Sequence, residues 1–141
     1  MLRIVWLLAG VLLVVLSLGS GAPKGYDGTV AWKDGLQGTW HTVAGEIGGE
    51  RVLLVADADQ TFRAGKWYVS SNSEGTYTTD ESYRPAYLDK RFPATGELRK
   101  YIYRVDGDTL WIGCMPDGCN RPTSFDDKGI CVVIWKRVKQ D

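Results

Sequence analysis

The chain has 141 residues, and its 17 basic and 17 acidic side chains give a formal net charge of zero. A balanced net charge gives no electrostatic case for binding nucleic acid or an anionic membrane surface, so neither is expected as a partner. The length suits one domain with a modest core. No metal-ligand spacing or glycine-rich phosphate loop is present, so no metal and no cofactor is predicted.

The first 21 residues have the layout of a secretory signal peptide. Arg3 precedes fifteen almost wholly apolar residues, Ile4 to Leu18, and small residues follow from Gly19 to Ala22. Fifteen helical residues reach about 22 Å, short of a ~30 Å hydrocarbon core, so cleavage is favoured over a retained anchor. We therefore expect an exported protein of the periplasm, the cell envelope or the extracellular space. It contacts a membrane only if residues 1–21 stay attached.

The rest of the chain divides into an arm, one domain and a short tail. Residues 22–35 are rich in Gly, Pro and charge and predict a linker or N-terminal arm, and residues 139–141 form the tail. Residues 36–138 alternate short β-branched and aromatic runs with turn signals, which predicts an all-β domain of about eight strands, a sandwich or a barrel. The predicted strands are Gly38 to Glu46, Arg51 to Val55, Gln60 to Arg63, Lys66 to Ser71, Glu74 to Thr79, Tyr83 to Leu88, Leu98 to Val105, Asp108 to Met115 and Gly129 to Val138.

Three of these runs carry more specific signals. Pro85 cannot donate to a strand ladder, which makes Tyr83 to Leu88 an edge strand or an irregular segment. Asp106-Gly107 between two apolar runs is the clearest hairpin signal in the chain. The last run is apolar on both faces, as expected of a central or barrel-closing strand. The best candidate for a short helix is Glu50 to Ala58.

Cys114, Cys119 and Cys131 are the three cysteines. Export would place them in an oxidising compartment, where one disulfide is expected and the third thiol is left over. Cys114 and Cys119 flank the turn sequence Met-Pro-Asp-Gly, so they are the favoured pair. A strand-to-strand bond from Cys131 to either remains an alternative.

Four motifs in order resemble a family of uncharacterised exported domains expanded in planctomycete bacteria. They are Leu36-Gln37-Gly38-Thr39-Trp40, Gly75-Thr76-Tyr77, the Tyr103 to Leu110 stretch with its Gly-Asp-Thr-Leu, and Arg121-Pro122-Thr123-Ser124-Phe125. The resemblance covers about residues 36 to 138. It implies a single antiparallel lipocalin-like barrel, and no activity is established for that family.

The resemblance also assigns structural residues. Lipocalin-like proteins stack a basic side chain of the last strand over the Trp of the first, which here implies a contact between Arg137 and Trp40. A cation–π contact of this kind contributes about 0.5–2 kcal/mol. Trp135, in the same last strand, is expected to fill the core.

Aromatic residues are the compositional excess of the chain, with six Trp, seven Tyr and three Phe. They either fill the barrel or line a cup for a small apolar or aromatic ligand, and filling is favoured. Arg121 could meet an anionic ligand, although pairing with Asp126 or Asp127 is favoured. The candidate ligand-binding residues are Trp67, Tyr77, Tyr101, Tyr103, Trp111 and Arg121.

Catalytic chemistry has little support in the sequence. His41 is the only histidine and is predicted to face solvent, because it alternates with Trp40. The carboxylate pairs at Asp57 and Asp59 and at Asp106 and Asp108 lie in turns, where Asp bonds its own backbone. We expect a non-enzymatic exported binding or interaction module, whose partner is a small ligand or an envelope protein. A structural cell-envelope domain with a filled core is the alternative, and a hydrolase is the third.

Overall fold

The computed structural model of the protein describes residues 35–52, 58–69 and 73–139. The predicted signal segment, all of the arm but Gly35, and the last two tail residues lie outside these ranges. Every regular element within them is a strand, and they contain no helix able to span a membrane. The strands are β1 Gly38–Ile47, β2 Glu50–Val52, β3 Asp59–Arg63, β4 Lys66–Val69, β5 Ser73–Asp80, β6 Ala86–Phe92, β7 Glu97–Asp106, β8 Thr109–Cys114 and β9 Cys131–Arg137.

The strands form a closed antiparallel barrel, which confirms the predicted fold class. Neighbours in the sheet follow chain order from β3 to β9, and β1 pairs with both β3 and β9. Eight strands therefore close the barrel, and β2 is an extra strand hydrogen-bonded to the far end of β1. A bulge between Thr42 and Ala44 offsets the β1–β9 register. Such a bulge bends a strand locally, as closure requires.

Two predicted segments differ from the structure. Glu50, Arg51 and Val52 begin the proposed helix, and they form strand β2, while residues 53–57 lie outside the described ranges. Of the two alternatives for Tyr83 to Leu88, the edge strand is wrong, because β6 pairs on both sides. The irregular segment holds for residues 83–85, and the strand begins directly after Pro85. The predicted run ends at Leu88, whereas the strand continues through the charged residues Asp89, Lys90 and Arg91 to Phe92.

The barrel interior is filled by large side chains. Its fully buried members include Trp40, Trp67, Trp135, Tyr101, Phe62, Leu36, Leu88 and Leu110. Gly75 makes room for one of them, since a Cβ there would lie 2.6 Å from the Trp67 ring and 2.2 Å from the Arg91 carbonyl oxygen. The expectation of a filled interior therefore agrees with the packing.

A smaller apolar cluster covers part of the outside of the barrel. Ile102 and Val132 face outward, and Ile130 packs against them from the segment that joins β8 to β9. Trp111, Tyr87 and Phe125 pack on the edge of this cluster. This second layer explains why the last strand is apolar on both faces.

Arg137 and Trp40 meet where the barrel closes. They are register partners in β9 and β1, and the guanidinium carbon lies 4.1 Å from the centroid of the Trp40 ring. Arg137 Nη1 donates to the Gln37 carbonyl oxygen at 2.6 Å, and the Trp40 indole N–H donates to the Leu36 carbonyl oxygen at 2.8 Å. The stacking implied by the lipocalin resemblance is thus present in the structure. Below, this end of the barrel is called the Trp40 end.

Candidate binding site

The structure separates the predicted ligand-binding residues into two groups. Trp67, Tyr77, Tyr101 and Tyr103 are buried in the barrel core together with Trp135. Trp111 lies on the opposite, outer face, where the Arg104 guanidinium carbon sits 4.2 Å from its ring centroid. The two groups do not form one cup, because strand alternation places them on different faces of the sheet.

Arg121 is also a structural residue, but its predicted partner was wrong. Its guanidinium donates to Asp89 Oδ1 at 2.6 Å and to the Tyr101 carbonyl oxygen at 2.9 Å, and it stacks 4.1 Å from the Tyr87 ring centroid. Asp127, one of the expected partners, instead accepts from the backbone N–H and hydroxyl of Thr123. Arg121 therefore fixes the β8–β9 connection to the outside of the barrel.

A cleft of about 590 Å³ opens at the Trp40 end, and we call it the end cleft. It is bounded by Gly35, by the segment between β5 and β6, by the end of β7 and by the β8–β9 connection. Its lining residues are Gly35, Glu81, Arg84, Pro85, Ala86, Tyr103, Arg104, Val105 and Phe125. Of the predicted ligand-binding residues, only Tyr103 lines it.

The acidic group of the end cleft has hydrogen-bond partners, whereas its two basic groups have no ion-pair partner among the described residues. Glu81 Oε1 accepts from the Tyr103 hydroxyl at 3.0 Å and from the Gly35 amide at 3.2 Å. The Arg104 guanidinium stacks on Trp111 and lies 5.8 Å from the Phe125 ring centroid. Neither Arg84 nor Arg104 has a carboxylate within ion-pair distance in the described ranges. Among the described residues, the cleft therefore has two positive charges without a carboxylate partner and one carboxylate that is already engaged.

Lys90 is the exceptional side chain of the barrel interior. It is only 5 % exposed, and its ammonium lies 5.1 Å from the Phe62 ring centroid, 5.3 Å from that of Trp67 and 5.5 Å from that of Tyr101. No described carboxylate pairs with it. Burial without a counter-ion disfavours the ammonium, and lowers the pKa of Lys90 from 10.5 to about 7.

The expected disulfide is absent, both between the favoured pair Cys114 and Cys119 and for the alternative bonds from Cys131. All three are free thiols; Cys114 and Cys131 are buried, while Cys119 is exposed. Cys114 and Cys131 are direct register partners at the junction of β8 and β9. Cys119 lies apart in a turn that Asp117 holds without a covalent bond, because its carboxylate accepts from the backbone N–H groups of Cys119 and Asn120 at 2.9 and 3.0 Å.

Two further expectations concern chemistry. His41 lies on the outer face, where its Nδ1 is 2.5 Å from Asp59 Oδ1, and both side chains are about 40 % exposed. The described ranges contain no group of three or more His, Cys, Asp or Glu side chains able to hold a metal. The residues best placed to meet a ligand are thus those of the end cleft, with Lys90 and the two buried thiols separate from it.

Sequence reasoning missed Lys90, Glu81, Arg84 and Arg104. The burial of Lys90 could have been predicted from alternation, because Lys90 shares a strand face with the apolar residues Leu88 and Phe92. The end cleft had no such signal, since its lining residues come from four segments that only the closed barrel brings together.

No family model, curated protein or solved structure that we compared with the chain matches it.

Proposed function

We propose that the protein is an exported, non-catalytic binding module of lipocalin-like type whose ligand binds in the end cleft. The observation that carries this proposal is the pair Arg84 and Arg104, which line a cleft of about 590 Å³ without a described carboxylate partner. Guanidinium groups bind carboxylates, sulfonates and phosphates through charged hydrogen bonds. The cleft therefore suits an anionic ligand.

The other walls of the cleft suit an apolar body on the same ligand. Pro85, Val105 and Phe125 line it beside the two arginines. Ligand pockets of several hundred Å³ combine apolar walls with a few charged or polar groups that set orientation. We infer a small amphipathic ligand with one anionic group and an apolar or aromatic ring.

The barrel centre is a poorer place for that ligand. Trp40, Trp67 and Trp135 are each at most 2 % exposed and occupy the interior. An eight-stranded barrel is just wide enough to be filled by its own side chains, so these rings leave little space for a guest. A ligand at the barrel end avoids displacing them.

Three observations support the remaining parts of the proposal. The residues lining the end cleft include no serine, cysteine or histidine, and the one carboxylate, Glu81, is engaged by Tyr103 and Gly35. This favours binding over nucleophilic catalysis. The closed antiparallel barrel is consistent with the lipocalin-like resemblance. The signal-like residues 1–21 favour export.

The proposal is tested with anilinonaphthalene sulfonate, an aromatic sulfonate that becomes fluorescent in apolar sites. The native chain should bind one equivalent, and Arg84→Gln should weaken binding about fivefold, since one charged hydrogen bond contributes on the order of 1 kcal/mol. Arg84 makes no described side-chain contact, so its loss should leave the fold intact. Arg91→Gln removes the same charge from an exposed position outside the cleft and is the matched control. Equal weakening by both variants would show non-specific binding and contradict the proposal.

A structural envelope domain is the second candidate, and the filled interior favours it. That role needs no small ligand. Native mass spectrometry of the protein purified from its source distinguishes the two. A binding module retains a ligand, and the fraction of chains that carry it should fall in Arg84→Gln, whereas a structural domain is recovered as the bare chain.

A further inference from the structure

Two thiols face each other at the end of the barrel opposite Trp40. Cys114 ends β8, Cys131 begins β9, and the two are direct partners across the antiparallel ladder. They are 5 % and 2 % exposed. Cβ atoms of directly opposed residues lie about 4.5–5.5 Å apart, so two sulfur atoms can approach one ion from opposite sides.

The surroundings of this thiol pair are apolar and positively charged. Both cysteines belong to the main core cluster, with Tyr101 and Ile112 beside them. Lys90 and Arg99 both interact electrostatically with the Cys114 sulfur. Arg99 Nη2 pairs with Glu97 at 3.1 Å, but its Nε is buried without a described acceptor. Lys90 has no described anionic partner, and the Glu97 carboxylate is engaged by Arg99.

We propose that Cys114 and Cys131 form a two-coordinate site for one soft monovalent metal ion, of which Cu(I) and Ag(I) are the representatives. Each thiol loses its proton, two sulfur–metal bonds form, and two protons leave to solvent. No electron is transferred. The product is a bis-thiolate complex with a net charge of minus one.

The charge of that product explains why the site suits this chain. A buried ammonium without a counter-ion is unfavourable, and a bis-thiolate complex beside Lys90 supplies the missing negative charge. The hydrogen bond to Cys131 and burial raise the pKa of the Cys114 thiol, and the charges of Arg99 and Lys90 offset part of that rise. Metal binding and protonation of Lys90 should therefore favour each other.

The ligand set selects the class of metal. Thiolates prefer soft ions such as Cu(I). A structural zinc site needs four ligands, and no third His, Cys, Asp or Glu joins the pair among the described residues. Cys119 is exposed and separate, which leaves the site with two sulfurs.

The test uses the full chain, reduced and kept free of oxygen, titrated with Cu(I) in competition with bathocuproine disulfonate. We expect one ion per chain and release of about two protons per ion at neutral pH, as thiol ligation requires. Cys114→Ala and Cys131→Ala should each lower the affinity at least about a hundredfold. Cys119→Ala is the matched control and should bind as the native chain does. Lys90→Met, which removes the neighbouring charge, should weaken binding about tenfold.

Several results would overturn the site. Loss of Cu(I) binding in Cys119→Ala would assign the metal to a different thiol. Ag(I) titration of the native chain gives a test that does not depend on the variants folding, and the absence of two released protons there would exclude a bis-thiolate. If Cys114 and Cys131 were recovered as a disulfide from cells treated with a thiol-blocking reagent before lysis, the pair would be a disulfide in the cell, and the metal site would be wrong. These outcomes leave the end cleft untouched, because it lies at the other end of the barrel.

Discussion

Replacing Lys90 by Met should change how the stability of the protein depends on pH. The buried ammonium has a pKa of about 7 in the folded chain against 10.5 as its ordinary value. Since the folded pKa is the lower one, the unfolded chain binds more protons between pH 7 and pH 10.5, and stability rises with pH across that window. Below pH 7 both states are protonated, and the charged lysine costs the fold up to about 5 kcal/mol.

The measurable part of this effect lies at mild pH. With these two pKa values, the free energy of unfolding of the native chain should increase by about 1.4 kcal/mol from pH 6 to pH 8 because of Lys90 alone. Lys90→Met removes that contribution and fills similar volume among Phe62, Trp67 and Tyr101. The variant should therefore be the more stable protein at pH 6, and its advantage should shrink towards pH 8.

Urea titrations at pH 6, 7 and 8 provide the measurement. The native chain and the variant share every other titratable group, His41 and the cysteines included, so the difference between their curves isolates Lys90. Lys66→Met, at an exposed position on β4, is the control and should run parallel to the native chain. If the Lys90→Met curve also ran parallel to the native one, Lys90 would not be a buried unpaired charge, and our description of the interior would be refuted.

Two further sets of variants test the packing. Trp40→Ala should cost about 3–5 kcal/mol and Arg137→Ala about 1–2 kcal/mol in denaturant titrations. The double variant should lose less than the two together, because the shared contact at 4.1 Å is lost once, and strict additivity would contradict the closure contact. Gly75→Ala should cost about 1–3 kcal/mol by thermal unfolding, because the added methyl group meets Trp67 and the Arg91 carbonyl oxygen. Thr76→Ala, at an exposed neighbouring position, should stay within about 0.5 kcal/mol of the native chain, and equal losses would dismiss the steric argument.

Much of the fold could be predicted because strand signals are local. Strand alternation puts Tyr101 and Tyr103 on one face and Ile102 on the other, and in the structure the two tyrosines lie in the barrel core while Ile102 lies in the outer cluster. Asp106-Gly107 predicts a turn, and Gly107 has the positive φ of 56° that a tight hairpin requires. These features depend on the chemistry of neighbouring residues, so they are readable without knowing what packs against them.

The errors arose where a distant residue decides the outcome. The turn sequence between Cys114 and Cys119 predicts a local disulfide, but Asp117 holds that turn and β9 brings Cys131 opposite Cys114. Arg121 was expected to pair with a nearby acid, and Asp89 of β6 reaches it instead. In each case a short sequence separation was a poor guide to distance in space.

The sequence by itself indicated an all-β domain of about eight strands and the turn at Asp106-Gly107, because these follow from short alternating runs and turn residues. The contact between Trp40 and Arg137 was implied by the resemblance of motifs at the two ends of the domain. Only the tertiary structure decided where charge lies. Closing the sheet placed Lys90 among three aromatic rings without a counter-ion from the described residues, and brought Arg84 and Arg104 to one cleft from separate segments. Burial and electrostatic pairing depend on what surrounds a group in space, and barrel closure alone creates those surroundings.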